Sequence, residues 1–368
     1  MKMFLLTAFK LVLKAIYAPM KLFKTKNRIV YLSRQSNSKS LDMQLLEQAI
    51  NSEDSSVEQV FRLKMIDDGI LDKIKYLFNI FGDMYYLATS KVAIVDTYSI
   101  PVSCLSHKKD LTVIQIWHAL GAVKKFGLQS LGTKEGRDEQ VSDALCMHKN
   151  YDYVIAPSKA AARFYMQAFG VEQSKIKICP LPRVDYILDS KVKAAEFFSL
   201  NPNFGDKKIA LYLPTFRERE GYIAQMLKVE FDSRSDYQLL ISTHPLSTVK
   251  KDEKYCAKGD FSTYDLMKIA DVIITDYSAC AFEASLLGKP VYFFVPDYDE
   301  YLVERGINVD LKEEMPQCVF TQADSLVNAI AGEPYDMGQL FMFKENYVEN
   351  TKTNCTQVLA KFVLMQIK

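Results

Sequence analysis

The chain has 368 residues, of which 49% are hydrophobic and 25% charged, the proportions of an ordinary soluble protein with room for two domains. Its formal net charge is +1, so no overall positive field argues for nucleic acid, and we expect no nucleic-acid partner. Seven cysteines without a CxxC pair indicate a reduced compartment, and four histidines without HxxxH or HExxH spacing give no support for a zinc site.

Residues 1–27 are predicted to form a basic amphipathic helix. No apolar run reaches the roughly 18 residues of a membrane span. Lysines interrupt the apolar stretch and no small-x-small site follows, so a cleavable signal peptide fits less well. On a helical wheel the lysines share a sector of roughly 120°, and the rest of the wheel is apolar. Two interpretations stay open: the helix lies on an anionic membrane surface, or it packs its apolar face on its own domain. The lysines are Lys2, Lys10, Lys14, Lys21 and Lys24.

Residues 28–185 alternate between strand and helix patterns, which predicts an N-terminal α/β domain built on a parallel sheet. Short β-branched runs predict the strands, and longer stretches with apolar residues at helical spacing predict the helices. The predicted strands cover 28–33, 57–65, 92–95, 112–117, 153–156 and 175–179, and the predicted helices cover 41–50, 70–89 and 159–169.

The chain changes character around Pro180–Asp185, which we interpret as the first crossing between domains. Residues 186–340 are predicted to form a second α/β domain. A C-terminal segment, 341–368, is predicted to contain one long helix over 344–367 that packs back on the N-terminal domain. The expected fold class is therefore α/β, with two Rossmann-like doubly wound domains that face a cleft. The strands of the second domain are predicted at 209–214, 237–243, 272–275 and 291–295.

The stretch from Ala270 to Tyr301 has the pattern of a strand, a turn, a helix and a second strand. Right-handed crossover makes the two strands parallel. The turn at 276–279 lies at the carboxyl end of a strand, where backbone N–H groups and hydroxyls favour phosphate. An ordinary βαβ crossover without a ligand explains the same pattern.

Two histidines follow predicted strands, one in each domain. His118 follows the strand that ends at Trp117, and His244 follows the strand that ends at Thr243. Imidazole titrates near neutrality, so a histidine at a strand end suits proton abstraction. Lys124 and Lys125, a few residues after His118, could compensate phosphate charge on the acceptor side. The alternative for each histidine is a buried, hydrogen-bonded structural residue.

Arg217 also follows a predicted strand, and its guanidinium group suits bidentate binding of a phosphate. The neighbouring residues Glu218, Arg219 and Glu220 are interpreted as a run of surface charge.

Taken together, these motifs resemble the CDP-glycerol glycerophosphotransferase family, whose members make the linkage and main chains of teichoic acids and related bacterial surface polymers. The resemblance covers roughly residues 28–360, with the motifs in family order, and is closest to the shorter, primase-like members. It implies a GT-B-like architecture with CDP held by the C-terminal domain. It also implies a peripheral position on the cytoplasmic face of the membrane, and a polyprenyl-diphosphate-linked saccharide acceptor. The motifs are Ile114–Gly127, His148–Tyr153, Leu213–Arg217, Thr243–Pro245 and Ile274–Ser278 with Phe282–Glu283.

The resemblance also implies roles for individual residues. His118 matches the histidine proposed as base on the acceptor hydroxyl. His244 and Arg217 match positions that contact the donor pyrophosphate, and the phosphate-binding turn maps onto Asp276, Tyr277 and Ser278. Ala279 stands where the family often has a second serine, so its contact would come from the backbone N–H. Glu283, inside the next helix, is a candidate for the ribose side of the nucleotide.

The predicted reaction is transfer of an alditol phosphate to a hydroxyl of the lipid-linked acceptor, with release of CMP, and the preferred donor is CDP-glycerol, which supplies glycerol phosphate. We expect no cofactor and no metal, because the CDP-alditol is a substrate and no carboxylate pair is spaced for Mg²⁺. CDP-ribitol is an alternative donor that the residues do not separate from CDP-glycerol. A nucleotide-sugar glycosyltransferase of the same architecture would release UDP or GDP instead, and a non-catalytic membrane-recruited binding protein would release nothing.

Overall fold

The computed structural model describes most of the chain, and the residues below are those it describes. The described ranges are 2–65, 70–134, 136–217, 219–234, 236–243, 247, 252–332, 334–349, 351–352 and 354–367. By its internal contacts the chain divides into two units. The first comprises Met1–Leu120, Lys125–Asp185 and Glu349–Lys368, and the second comprises Gly121–Lys124 and Tyr186–Val348. The division falls inside a short helix, Arg183–Leu188.

The first unit is built on a six-stranded parallel sheet with strand order β2-β1-β3-β4-β5-β6. The residues of β1 and β3 are buried throughout, as β-branched and apolar runs in the middle of a doubly wound sheet should be. The order places a topological switch point between β1 and β3, because the chain proceeds from β1 to opposite sides of it. The elements are α1 (Lys2–Met20), β1 (Arg28–Ser33), α2 (Leu41–Glu53), β2 (Glu58–Leu63), α3 (Ile70–Thr89), β3 (Val92–Val95), α4 (Ile100–Cys104), β4 (Thr112–Gln115), α5 (Glu139–Ala144), β5 (Tyr153–Ala156), α6 (Lys159–Phe169), β6 (Ile176–Ile178) and α7 (Arg183–Leu188).

The second unit is built on a five-stranded parallel sheet with strand order β11-β10-β9-β7-β8. Strands β9 and β10 are buried along their whole length, which agrees with the predicted βαβ unit at 270–301. The elements are α8 (Ala194–Leu200), β7 (Lys208–Leu213), α9 (Glu220–Arg234), β8 (Tyr237–Ile241), α10 (Thr263–Ile269), β9 (Val272–Thr275), α11 (Cys280–Ser285), β10 (Val291–Phe294), α12 (Tyr298–Glu304), α13 (Leu311–Glu314), β11 (Val319–Phe320), α14 (Ala323–Gly332), α15 (Met337–Tyr347) and α16 (Cys355–Met365), of which α16 belongs to the first unit.

The N-terminal helix α1 packs part of its surface on the first unit and leaves the rest exposed. Leu13 and Tyr17 are buried against the first unit, and the Tyr17 hydroxyl lies 2.9 Å from Nδ1 of His107. The ammonium group of Lys10 donates to the carbonyl of Ala144 at 2.9 Å, so part of the lysine-rich face points toward the protein. A second face remains apolar and exposed. By length and composition alone, Met3–Met20 could cross a membrane.

The prediction of one long C-terminal helix over 344–367 is wrong. The helices α15 and α16 are separate, and residues 349 onward belong to the first unit. The carboxylate of Asp185 caps the start of α16: it accepts from the backbone N–H of Cys355 at 2.9 Å and from that of Thr356 at 2.7 Å. Asn354 adds a side-chain cap on the N–H of Gln357. A new helix begins here because these groups satisfy its free N–H donors.

Candidate functional site

His118 lies just beyond the carboxyl end of β4, and its ring is oriented by a main-chain carbonyl. Nδ1 lies 2.9 Å from the carbonyl oxygen of Asp96. A carbonyl only accepts, so Nδ1 carries the hydrogen and the basic lone pair is on Nε2. The amide nitrogen of Gln35 lies 3.1 Å from Nδ1 and 3.2 Å from Nε2, so it rests against the ring and is not directed at one nitrogen. His118 is therefore held in the tautomer that a general base requires, with Nε2 as its basic nitrogen.

The backbone around His118 is held as firmly as the ring. Trp117 has a positive φ of 57°, which is unusual for a bulky residue and costs roughly 1–3 kcal/mol. The Trp117 N–H donates to Oε1 of Gln115 at 2.8 Å. The carbonyl of His118 accepts from Nη2 of Arg183 at 3.1 Å. Arg183 is itself anchored by a buried ion pair with Asp42, in which Nε lies 2.8 Å from Oδ2. These bonds compensate the strained turn that presents the imidazole.

Asp96 is a buried carboxylic acid beside this histidine. Burial raises its pKa to about 7, although hydrogen bonds from Ser33 and Thr97 oppose the shift. Its Oδ1 has no hydrogen-bond partner in the described part of the chain. Its contact with His118 is made by the backbone carbonyl, so the side chain is free to change protonation without altering the tautomer of the imidazole.

In the second unit, Asp276 follows β9 and is fully buried. Its Oδ1 accepts from the backbone N–H of Thr215 at 2.9 Å and from the Thr215 hydroxyl at 2.6 Å. Its Oδ2 lies 3.0 Å from Nη2 of Arg217. The predicted role of Asp276 as a phosphate ligand does not fit this geometry, since the carboxylate is negative, buried and already engaged. Its position suits it to hold the loop after β7, which carries Arg217.

Arg217 lies between two carboxylates, with Nη2 near Asp276 and Nη1 3.3 Å from Oδ2 of Asp297. Its side chain is only 6% exposed, yet none of its three guanidinium nitrogens has a hydrogen bond within the described residues. The carboxylates are within ion-pair distance, but the N–H groups are not aligned on them. Burial lowers the pKa of Arg217, and the charges of Asp276 and Asp297 more than reverse that, so the pKa ends above its usual value. Arg217 thus remains a cation with N–H groups available to another acceptor.

Tyr277 supports Arg217 and does not offer its hydroxyl to a ligand, contrary to prediction. It is fully buried, and its hydroxyl donates to Oδ1 of Asp297 at 3.2 Å. Its ring stacks on Tyr301, with ring centroids 3.7 Å apart and 4° between the planes. The guanidinium carbon of Arg217 lies 5.1 Å from the centroid of the Tyr277 ring, within cation–π range. Burial, then the charge of Asp297, raises the pKa of Tyr277 well above its ordinary value, so it stays neutral.

The other predicted residues of the second unit are placed as follows. Ser278 and Ala279 are partly exposed just before α11, and the Ser278 hydroxyl accepts from the N–H of Cys280 at 3.3 Å. Glu283 is buried and lies 3.4 Å from the hydroxyl of Tyr264, so its predicted contact with a ribose has no exposed carboxylate to support it. His244 lies outside the described residues.

The two candidate lysines do not both belong to the first unit. Lys124 forms an isolated antiparallel bridge with Ile307 and counts with the second unit, so its assignment to the acceptor-side domain is wrong. The loop that carries Lys124 is bonded to the second unit, because the N–H of Asn308 donates to the carbonyl of Val123 at 2.7 Å. Lys125 is exposed and counts with the first unit.

Sequence reasoning missed several residues of this site. Glu220, interpreted as surface charge, is buried at the start of α9, and burial raises its pKa against a hydrogen bond with Ser247. Asp297 and Tyr301 were not recognised because they reach Arg217 from a distant part of the chain. Asp96 could have been identified as a candidate, because it directly follows β3 in the same way that other candidate residues follow their strands. Within the described ranges, no group of three or more His, Cys, Asp or Glu residues is placed to hold a metal ion.

Comparison with known proteins identifies relatives over nearly the whole chain. The family model described as CDP-Glycerol:Poly(glycerophosphate) glycerophosphotransferase matches residues 16–365. The teichoic acid ribitol-phosphate primase of Bacillus spizizenii is 31% identical over 327 residues, which cover 84% of each chain. The teichoic acid glycerol-phosphate primase of Bacillus subtilis is 29% identical over 293 residues, covering 76% of this chain and 75% of the relative.

Among solved structures, the wall teichoic acid polymerase TagF is similar over 100% of this chain and 97% of its own, with a TM-score of 0.71 and 19% sequence identity. That likeness concerns the fold, and it confirms the predicted α/β, GT-B-like fold class with two parallel sheets. With the family match over residues 16–365, the chain belongs to the CDP-glycerol:poly(glycerophosphate) glycerophosphotransferase family.

Proposed function

We propose that this chain transfers an alditol phosphate from a CDP-alditol to a hydroxyl group of a lipid-linked acceptor and releases CMP, as a primase-like enzyme of teichoic acid or related surface-polymer synthesis. The observation that carries the proposal is the family match over residues 16–365. The two primases named above are matched over most of their length, which supports a primase-like enzyme.

In the proposed reaction, the acceptor hydroxyl attacks the phosphorus that bears the alditol. Nε2 of His118 takes the hydroxyl proton, the new O–P bond forms in line, and the bond to the CMP oxygen breaks. The tautomer imposed by the Asp96 carbonyl supports this assignment, since it leaves Nε2 basic. The amide of Gln35, which lies against the same ring, is placed to contact an acceptor group that approaches His118.

Arg217 is proposed to hydrogen-bond the donor diphosphate through its guanidinium N–H groups, which have no hydrogen-bond acceptor within the described residues. Asp276 and Tyr277 are proposed as positioning residues, because they fix Arg217 without offering a group to the ligand. Ser278 and Ala279, at the partly exposed turn before α11, keep their predicted role beside the diphosphate. His244 keeps its predicted role on sequence grounds.

CDP-ribitol is the alternative donor, and one specific observation favours it: the ribitol-phosphate primase has 31% identity to this chain, slightly above the 29% of the glycerol-phosphate primase. The two donors are separated by incubating the protein with each, together with a lipid-linked disaccharide acceptor, and weighing the product. Transfer from neither donor, with no CMP released, would refute the proposal. We expect full activity in the presence of EDTA, because the proposed site uses cationic side chains and no metal.

We further propose that α1 holds the enzyme on an anionic membrane surface at the cytoplasmic face. Its exposed face presents Phe4, Leu5, Leu11 and Val12, which are 76%, 59%, 60% and 53% exposed, while Leu13 anchors the helix on the protein. Such an apolar face, flanked by lysines, suits insertion at the level of the lipid headgroups.

Sedimentation with vesicles tests the membrane proposal. Replacing Phe4 and Leu11 by serine should reduce binding to anionic vesicles strongly. The matched control is Val303→Ser, which removes an 85% exposed apolar side chain from the second unit and should leave binding unchanged. Equal sedimentation of the Phe4/Leu11 variant and the wild type would contradict the role of α1.

A further inference from the structure

A cavity of about 100 Å³ opens at the carboxyl edge of the first sheet, where β1, β2 and β3 end. It lies at the topological switch point between β1 and β3, where doubly wound sheets most often bind ligands. Its volume has room for several water molecules and therefore for a phosphoryl group. Its polar lining includes three cationic side chains and three hydroxyls: Arg34, Arg62, Lys64, Ser33, Thr97 and Ser99.

The lining has one carboxylate against three cationic side chains. Asp83, the carboxylate of the lining, lies 3.0 Å from Nε of Arg62 and is committed to that pair. Lys64 makes no side-chain hydrogen bond or ion pair with the described chain, so its charge is available to a ligand. This contrasts with Arg217 in the second unit, which has a carboxylate on each of two sides.

Arg62 is built into the wall of the cavity. Its Nη2 donates to the carbonyl of Asn79 at 3.1 Å, and its guanidinium lies against Gly82 in α3. A Cβ at position 82 would overlap that guanidinium. Glycine inside a helix costs about 1 kcal/mol relative to alanine, so the helix gives up stability at the point where the guanidinium needs the space.

The cavity adjoins the proposed base. Gln35 and Asp96, which both contact the His118 ring, are the sequence neighbours of the lining residues Arg34 and Thr97. The backbone N–H of Arg34 also donates to the Thr97 hydroxyl at 3.3 Å, which ties the two loops together. A ligand in the cavity would therefore lie next to the molecule whose hydroxyl His118 deprotonates.

We propose that this cavity is an anion subsite that binds a phosphate or diphosphate group of the acceptor, and so orients the acceptor hydroxyl toward His118. The inference rests on the proposed function, since that function supplies the acceptor. The donor diphosphate is assigned to the second unit, so the two substrates would use different cationic groups.

The test compares Lys64→Gln with Lys109→Gln, an exposed lysine of the same unit that also makes no side-chain bond with the described chain. Among the described residues neither lysine has a side-chain partner to lose, so both variants should fold. Initial rates are measured while the concentration of either the acceptor or the CDP-alditol donor is varied, which gives a KM for each substrate. Loss of one charge-assisted contact should raise the acceptor KM about tenfold or more in Lys64→Gln, with the donor KM unchanged. Lys109→Gln should match the wild type, and an unchanged acceptor KM in Lys64→Gln would overturn the acceptor assignment.

Direct binding gives an independent readout. Trp117 is the only tryptophan of the chain, and its ring centroid lies 3.9 Å from that of His118, so its fluorescence reports on this edge of the sheet. Inorganic diphosphate is titrated in the presence of saturating CDP, which occupies the donor site. Wild type and Lys109→Gln should bind it with equal affinity, and Lys64→Gln at least about tenfold more weakly.

Three outcomes distinguish failure of the anion subsite from failure of the proposed function. Diphosphate binding that is the same in all three proteins, or absent in the wild type, would overturn the subsite. Weaker diphosphate binding in Lys64→Gln with an unchanged acceptor KM would mean that the cavity takes free phosphate and not the acceptor. A wild type that releases no CMP from either donor would refute the proposed function, while the titration would still decide whether the cavity binds an anion.

Discussion

Replacing His118 by alanine should lower kcat by about two to four orders of magnitude, which corresponds to roughly 2.7–5.5 kcal/mol in the activation barrier. The size of the effect follows from the geometry of the ring. The Asp96 carbonyl, 2.9 Å from Nδ1, fixes the hydrogen on that atom and leaves Nε2 basic. Alanine removes this basic nitrogen, and the neighbouring Gln35 has none with which to replace it.

His118→Asn refines the experiment, because an asparagine amide can still donate to the Asp96 carbonyl but takes up no proton. Both variants should lose activity to a similar extent. CMP release is measured at saturating concentrations of both substrates across pH, and the acid limb of the wild-type profile should disappear in both. Lys109→Gln controls for purification and folding. A loss of less than about tenfold in His118→Ala, or an acid limb that persists, would refute the role of general base.

Three further predictions test the second unit and the buried acid. Arg217→Lys keeps the charge but loses the planar fork, so the KM for the CDP-alditol should rise about tenfold in initial-rate measurements, and an unchanged KM would exclude a donor contact. Burial raises the pKa of Asp96 to about 7, so the folded state retains a proton that the unfolded chain releases above about 4. The free energy of unfolding should therefore fall as the pH rises from about 4 to 7. Asp96→Asn should flatten that decline in urea unfolding between pH 5 and 8, and an undiminished slope would contradict it. Gly121→Ala should destabilise the protein by about 1–3 kcal/mol, because its Cβ would overlap the buried Phe282 ring. The control is Gly332→Ala, whose Cβ would meet open space and should not change stability. Equal melting temperatures of the two variants would show that the overlap is harmless.

The strands were the most predictable part of the fold. Buried runs such as Val92–Val95 and Val272–Thr275 are short, β-branched and bounded by polar residues, so local sequence is sufficient to identify them. The end of a helix is harder, as the C-terminal segment shows. The cap that begins α16 comes from Asp185, about 170 residues earlier in the chain, and no local pattern contains that contact.

The same distinction between local and distant contacts applies to the site. Arg217 and Asp276 each follow a strand, and because parallel strands end at one edge of a sheet, the sequence could predict that they lie together. It could not predict which of them faces a ligand. That depends on Asp297 and Tyr301, which approach from α12 and its flank and convert Tyr277 into a support for the guanidinium.

The loop after His118 explains why a glycine stands at position 121. Gly121–Lys124 counts with the second unit: Val123 accepts from the N–H of Asn308, and the missing side chain of Gly121 admits the ring of Phe282. Phe282 belongs to α11, the helix that follows the turn proposed to bind the donor diphosphate. Only two residues separate His118 from Gly121, so the backbone that carries the proposed base continues directly into a segment that belongs to the second unit. A larger side chain at position 121 should therefore disturb the base as well as the packing of α11, and we expect Gly121→Ala to lower kcat beyond what its loss of stability explains.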